Sequence, residues 1–422
     1  MNKKKIVNGL QNLALMILTV TALFLLTRFP MLEGALNGRM QELLSMPVNT
    51  IHSSAEHSYA ISSIHVVVTD ELEYGRYTGI NVPVSDEVFQ QILPPLREAM
   101  GSAVEWEKVS DADLRSALET PGIYLDLTTA LPLACVADWL GEEAYADETP
   151  VRALALTTER ETATLFLRCA DGSIVQSSSA LTSTAVRELT AGFAPNGGRF
   201  VYESDYDTLA PYTVLVQEID SVPDVQAAIP KGYSAYNLLT ALDFNAHTNS
   251  RYVESSGVEV VVQSPRTLRI GKDGTVSYSS AGDVNLDLYR VAAAGEFPTS
   301  VEALQSACRI AAALTEGTGA ASLTVKSVER TEDGWVISFG YCADGVRVRL
   351  SGDRTALRVT ISGDAVTEFE YYCRAYTPLE QSAMMLPPSM AVAIASIHEG
   401  SELTMAYVDS GAEVICARWF AE

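Results

Sequence analysis

The 422-residue sequence contains no C-x-x-C pair, no two histidines at a metal-ligand spacing, no P-loop, no G-x-G-x-x-G and no G-x-S-x-G. A structural zinc site, a thioredoxin-like redox centre, a nucleotide-phosphate cradle and a serine-hydrolase elbow are therefore all unsupported. The five histidines read as structural or surface residues: His52 and His57 in a serine-rich linker, His65 inside a strand, His247, and His398 at a helix end where a cation suits the dipole. Basic side chains are scarce too. Only 29 Lys and Arg stand against 53 Asp and Glu, a net charge of −24, and the one basic run is Lys3, Lys4 and Lys5. That balance argues against nucleic acid as a partner. At 47% hydrophobic residues, the chain is too apolar for a disordered polymer and too polar for a polytopic membrane protein.

What is present starts with that lysine run. Leu13 to Leu26 carries no charge, and a helix from Ile6 to Phe29 would span 24 residues, about 36 Å, enough to cross a bilayer with some tilt. The following Thr27-Arg28-Phe29-Pro30-Met31-Leu32 offers no A-x-A-like cleavage site. This pattern predicts an uncleaved single-pass anchor within residues 1–34, with a cytoplasmic N-terminus and the bulk of the chain outside the cell membrane. Residues 1–28 hold four basic side chains and no acid, leaving 25 basic and 53 acidic residues beyond them, or −28. Such a domain is tethered to a membrane whose anionic headgroups repel it. Along the anchor, Asn8, Asn12, Leu15, Thr19 and Ala22 fall on one stripe at alternating steps of four and three, the spacing of a helix–helix seam with small and polar members. They form a candidate partner face.

The remainder reads as α+β: antiparallel sheets each packed with helices. Asp220-Ser221-Val222-Pro223-Asp224 and Ile229-Pro230-Lys231-Gly232 mark a break between a domain at 35–220 and another at 233–422. The first is predicted to contain strands at 61–69, 122–127, 150–158 and 163–169 with helices near 86–100, 111–118 and 183–191. In the second, helices near 234–244, 301–315 and 389–397 are each followed by strands, with turns at Lys272-Asp273-Gly274, Glu332-Asp333-Gly334, Ala343-Asp344-Gly345 and Ser362-Gly363-Asp364. That rhythm suggests repeated helix-plus-sheet units.

No catalytic, cofactor or metal residues emerge. Asp283-Val284-Asn285-Leu286-Asp287 opens like a calcium loop but places Leu288 where glycine is needed, and Glu203-Ser204-Asp205-Tyr206-Asp207 reads as a solvated loop. Six widely spaced cysteines, Cys135, Cys169, Cys308, Cys342, Cys373 and Cys416, suit either buried thiols or bridges. Cys342 and Cys373 end strands of the same predicted sheet and are the candidate disulfide.

Taken together, the short positive N-terminus, single anchor and acidic α+β exterior resemble the YycH and YycI proteins of Gram-positive bacteria. Gly122-Ile123-Tyr124-Leu125-Asp126-Leu127 leading to Leu131-Pro132-Leu133 is similar to the core of the YycH N-terminal domain. Trp335-Val336-Ile337-Ser338-Phe339-Gly340-Tyr341, Leu403-Thr404-Met405-Ala406-Tyr407-Val408 and Ala417-Arg418-Trp419 are similar to YycI-like strand ends. The cysteines depart from that pattern. The resemblance implies a non-enzymatic accessory that modulates a sensor histidine kinase of a cell-wall-regulating two-component system, with the kinase and a sister accessory protein as partners. Alternatives are an anchored envelope module binding peptidoglycan or peptide, a protease inhibitor, and an envelope hydrolase using an acid pair.

Overall fold

The computed structural model describes residues 60–422, apart from 62–63, 72–74, 143–144, 220, 282–285, 293–294 and 296. The anchor and its face of Asn8, Asn12, Leu15, Thr19 and Ala22 lie outside the described residues. Among those described, no helix is long and apolar enough to cross a membrane.

The chain begins with β1 (Ala60–Ile61), β2 (Ile64–Thr69) and β3 (Arg76–Val82). Helix α1 (Glu87–Ser102) leads to β4 (Glu107–Val109), α2 (Asp111–Ala117) and β5 (Gly122–Pro132). Helix α3 (Leu133–Leu140) precedes a meander of β6 (Pro150–Thr157), β7 (Thr162–Cys169) and β8 (Ile174–Thr182), which α4 (Ser183–Thr190) closes. These strands form a seven-stranded sheet in the order β3-β2-β5-β6-β7-β8-β4. Side chains alternate across it. Val66, Val68, Ile123, Leu125, Leu154 and Leu156 face α1 and α3, whereas Val67, Tyr124, Ala155 and Phe166 face α2.

Two short strands, β9 (Arg199–Phe200) and β10 (Val214–Leu215), pair with each other. Next comes β11 (Val225–Ala228), between the two proline-containing segments that mark the expected domain break. Pro223 lies just ahead of the strand and Pro230 just after it, so neither removes a ladder N–H.

The rest supplies α5 (Ala235–Ala241), β12 (Arg251–Val253), β13 (Glu259–Gln263), β14 (Arg266–Ile270) and β15 (Thr275–Ser280). Helix α6 (Ser300–Thr318) starts with a capping box between Thr299 and Glu302, and Gly319 ends it at φ +68°. Then follow β16 (Leu323–Arg330), β17 (Gly334–Ala343), β18 (Val346–Leu350), β19 (Leu357–Ser362), β20 (Ala365–Tyr372) and β21 (Ala375–Pro378). Helix α7 (Pro388–Ala395), β22 (Leu403–Asp409), β23 (Val414–Ile415) and β24 (Ala417–Ala421) complete the chain.

The strands that follow α5 and those that follow α6 join edge to edge. Pairing of β15 with β20 merges them into one twelve-stranded sheet, β12-β13-β14-β15-β20-β19-β17-β18-β22-β24 with β16 and β1 alongside. Most of its pairs are antiparallel; β1–β16 and β18–β22 are parallel. The described residues form one compact unit, and one hydrophobic core contains residues from both large sheets, α1, α3 and α6.

No disulfide joins Cys342 to Cys373 among the described residues. Cys373 is fully buried in the core beside Thr318, whose hydroxyl accepts its S–H. Cys342 follows Tyr341, a member of the same core, and so points to the other face of the sheet.

Candidate functional site

Two arrangements stand out: a network of buried charge where the halves of the chain meet, and an apolar ridge on the surface. The network starts at a bulge in β5. Its register against β6 runs Asp126↔Ala153 and then jumps to Leu131↔Val151, pushing the intervening residues out of the ladder. Thr128 takes φ +58°, a strained conformation for a β-branched residue, and its N–H is held at 2.7 Å by Asp126 Oδ1. The displaced Thr129 hydroxyl reaches across to donate to the Lys326 carbonyl at 2.5 Å.

Asp126 is almost fully buried among cations. Arg152 Nε donates to its Oδ1 at 2.8 Å and Arg168 Nη2 to its Oδ2 at 3.3 Å, while Arg152 Nη2 continues to Glu402 Oε2 at 2.6 Å. Burial alone would raise the Asp126 carboxyl, but the Arg152 and Arg168 guanidiniums outweigh it and hold the group below its ordinary value. Opposite Asp126 in the ladder stands His65, whose Nδ1 accepts from the Asn81 N–H at 3.2 Å. Burial pushes its imidazole down to about 4, with Arg347 and Arg152 adding to the effect and Asp126 opposing it. His65 is therefore neutral at physiological pH.

Sequence reading placed His65 correctly in a strand but gave it no neighbours. Asp126 carried a signal that went unused, being a lone acid inside the apolar stretch Ile-Tyr-Leu-Asp-Leu, where a charge implies a partner. Its partners left none: Arg152 and Arg168 stand 26 and 42 positions further on, on separate strands, and Arg152's second acid, Glu402, is 250 beyond it.

The acidic motifs do not assemble. Glu203 receives the buried Arg76 guanidinium at 2.5 Å and the Phe200 N–H at 2.9 Å, a structural role rather than a solvated one. Residues 283–285 of the calcium-loop pattern lie outside the described residues. Among those described, no group of three or more His, Cys, Asp or Glu is placed to hold a metal.

The ridge belongs to α7. Residues 381–397 contain no charged side chain, in a chain where acids are abundant. Pro388 opens the helix at a position that needs no N–H. Ala391, Val392 and Ala395 pack against Val201, Leu209, Leu215 and Leu403. On the opposite side Met390, Ile394 and Ile397 are 53%, 53% and 77% exposed, and Met384 ahead of the helix is fully exposed. A helix apolar on both sides buries only one of them here. Exposed apolar clusters of this kind mark interaction surfaces. The Trp419 indole donates to the Leu386 carbonyl at 3.0 Å and fixes the approach to the helix.

No protein-family model and no curated protein sequence matches the chain. The architecture does match a solved one, the crystal structure of YycH from Bacillus subtilis, with a TM-score of 0.51 at 10% sequence identity, over 87% of this chain and 94% of that one. The fold is YycH-like. Correspondence over nearly the whole of the YycH chain means that both halves, and not one sheet alone, take part in the likeness. At this identity it concerns the backbone arrangement only.

Proposed function

We propose that this chain is a membrane-anchored, extracytoplasmic and non-enzymatic accessory protein that modulates a sensor histidine kinase of a cell-wall-regulating two-component system. The reading is carried by the YycH-like fold over 87% of the chain. A fold hosts many functions, so the reading also needs a surface through which such a protein could act. The exposed ridge of Met390, Ile394 and Ile397 supplies one, and the predicted seam of Asn8, Asn12, Leu15, Thr19 and Ala22 supplies a second within the membrane. A sister accessory protein would compete for, or share, the same surfaces.

Affinity capture of the full chain from detergent-solubilised membranes, with mass spectrometry of what is retained, tests this. A histidine kinase should be captured by the wild type and reduced at least severalfold by Ile394→Asp with Ile397→Asp, and by joint replacement of Asn12, Thr19 and Ala22 with leucine. Retention of cell-wall material without any kinase would replace the reading with an envelope binding module, and turnover of a wall substrate would replace it with a hydrolase.

A further inference from the structure

Strand β17 lies at a fork in the large sheet. Its first part pairs with β19, from Gly334↔Ser362 to Phe339↔Leu357, and its last part with β18, from Tyr341↔Val348 to Ala343↔Val346. Both partners use the same edge, because β16 occupies the other. They part at Gly340. The gap is a cavity of about 220 Å³ lined by Lys326, Arg347, Arg349, Arg354, Thr404 and Glu422 around Gly340.

Three features make it a polar site rather than a packing fault. First, four cations converge on it in a strongly acidic protein, opposed by one carboxylate: Glu422 meets Arg349 at 2.8 Å and Arg347 at only 3.9 Å. Lys326 stands at a bulge of β16, where the register jumps from Val325↔Phe339 to Ser327↔Ser338, and Arg354 lies 5.2 Å over the Tyr372 ring. Second, Thr404 is only 6% exposed, yet its Oγ1 has no hydrogen-bond partner. An oxyanion in the gap would supply that partner. Third, the floor is open, since a Cβ added to Gly340 would meet nothing within 4 Å. Burial pulls the Arg347 guanidinium below its ordinary value; Glu422 opposes this, Arg152 adds to it, and Asp126 and Glu402 oppose it more weakly.

We propose that this fork binds a compact polyanion carrying two or more oxyanion groups, phosphate or carboxylate, and that Glu422 is the internal carboxylate it displaces. Guanidinium forks match both oxyanions bidentately, and Thr404 would add a neutral donor. The cavity is below the roughly 300–1,000 Å³ of drug-sized sites, so it takes a small molecule or the anionic end of a larger one.

Calorimetric titration of the full chain in detergent at low ionic strength, with pyrophosphate, citrate and inorganic phosphate as probes, tests the proposal. Saturable one-to-one binding of pyrophosphate or citrate is expected, weakened at least tenfold by Arg347→Gln and by Gly340→Leu and tightened severalfold by Glu422→Gln. Preference for pyrophosphate or for citrate identifies phosphate or carboxylate as the recognised group. Should Arg347→Gln fail to fold, Gly340→Leu and the ligand-induced shift of the Gly340 amide resonance in the wild type carry the test. No saturable binding of any probe, or binding that none of the substitutions alters, overturns it.

Discussion

Arg152 and Glu402, 250 positions apart in the chain, meet at 2.6 Å, and the same guanidinium holds the buried Asp126 at 2.8 Å. One side chain thus satisfies an acid from each half. Arg152→Met would leave the buried Asp126 with only Arg168 at 3.3 Å and the Thr128 N–H at 2.7 Å, and would take its guanidinium from Glu402. Breaking such a pair costs about 3 kcal/mol or more. Urea denaturation should show that loss for Arg152→Met, and Arg152→Met combined with Asp126→Asn should lose less than the sum of the two single losses, because both substitutions break the same ion pair.

Acid should weaken the fold through His65. Its imidazole has an ordinary value of 6.5 and is pushed down to about 4 in the folded chain. Between these values the unfolded chain binds a proton that the folded chain does not, so stability falls as pH drops through that window. The full shift corresponds to roughly 3 kcal/mol. Stability of the His65→Gln variant, measured from pH 7 to pH 4, should show a correspondingly flatter slope. Asp126 acts only lower, where the unfolded chain protonates first and its contribution is lost as pH falls through the depressed folded value.

The turn from β17 to β18 should tolerate no side chain at Gly345. Asp344 and Gly345 both adopt positive φ, +49° and +77°, as a two-residue hairpin of this hand requires. A Cβ on Gly345 would come within 2.3 Å of the Asn81 carbonyl in the seven-stranded sheet. Gly345→Ala should therefore cost about 2 kcal/mol or more, read as a shift in denaturation midpoint, while Gly363→Ala, with nothing within 4 Å, should cost only the strain of its positive φ, about 1 kcal/mol.

Protease should spare the segment around β11. The Tyr407 hydroxyl donates to the Pro223 carbonyl at 2.6 Å, Asp224 N–H donates to the Gln381 carbonyl at 2.8 Å, and Val225 is fully buried. Limited digestion followed by mass spectrometry should leave 222–228 uncut. Residues 35–220 and 233–422 expressed separately should each expose apolar surface at the junction and aggregate.

Much of this architecture was readable because its signals are local. The turns at Asp273-Gly274 and Asp344-Gly345 and the apolar period of α6 placed most elements of the second half to within a few residues. Missed elements broke those local rules. The serine-rich β8 gains its strand character from pairing with β7, and α3 is apolar on nearly every side because it packs on α1, β5 and α6 at once. The charge network and the fork are assembled by tertiary contact, and no spacing in the sequence encodes a meeting of β6 with the approach to β22.

The parallel clip between β1 and β16 carries a mechanical meaning. Ala60 and Ile61 register with Thr324 and Val325, immediately before the bulge at Lys326. Tension applied at Ala60 would enter the twelve-stranded sheet at this point, before β2 and the seven-stranded sheet that come next in the sequence. A two-residue ladder is the weakest link on that route, so it yields first. A pull applied at Ala60 would be delivered beside the bulge at Lys326, and only a stronger one would reach the amino-terminal core.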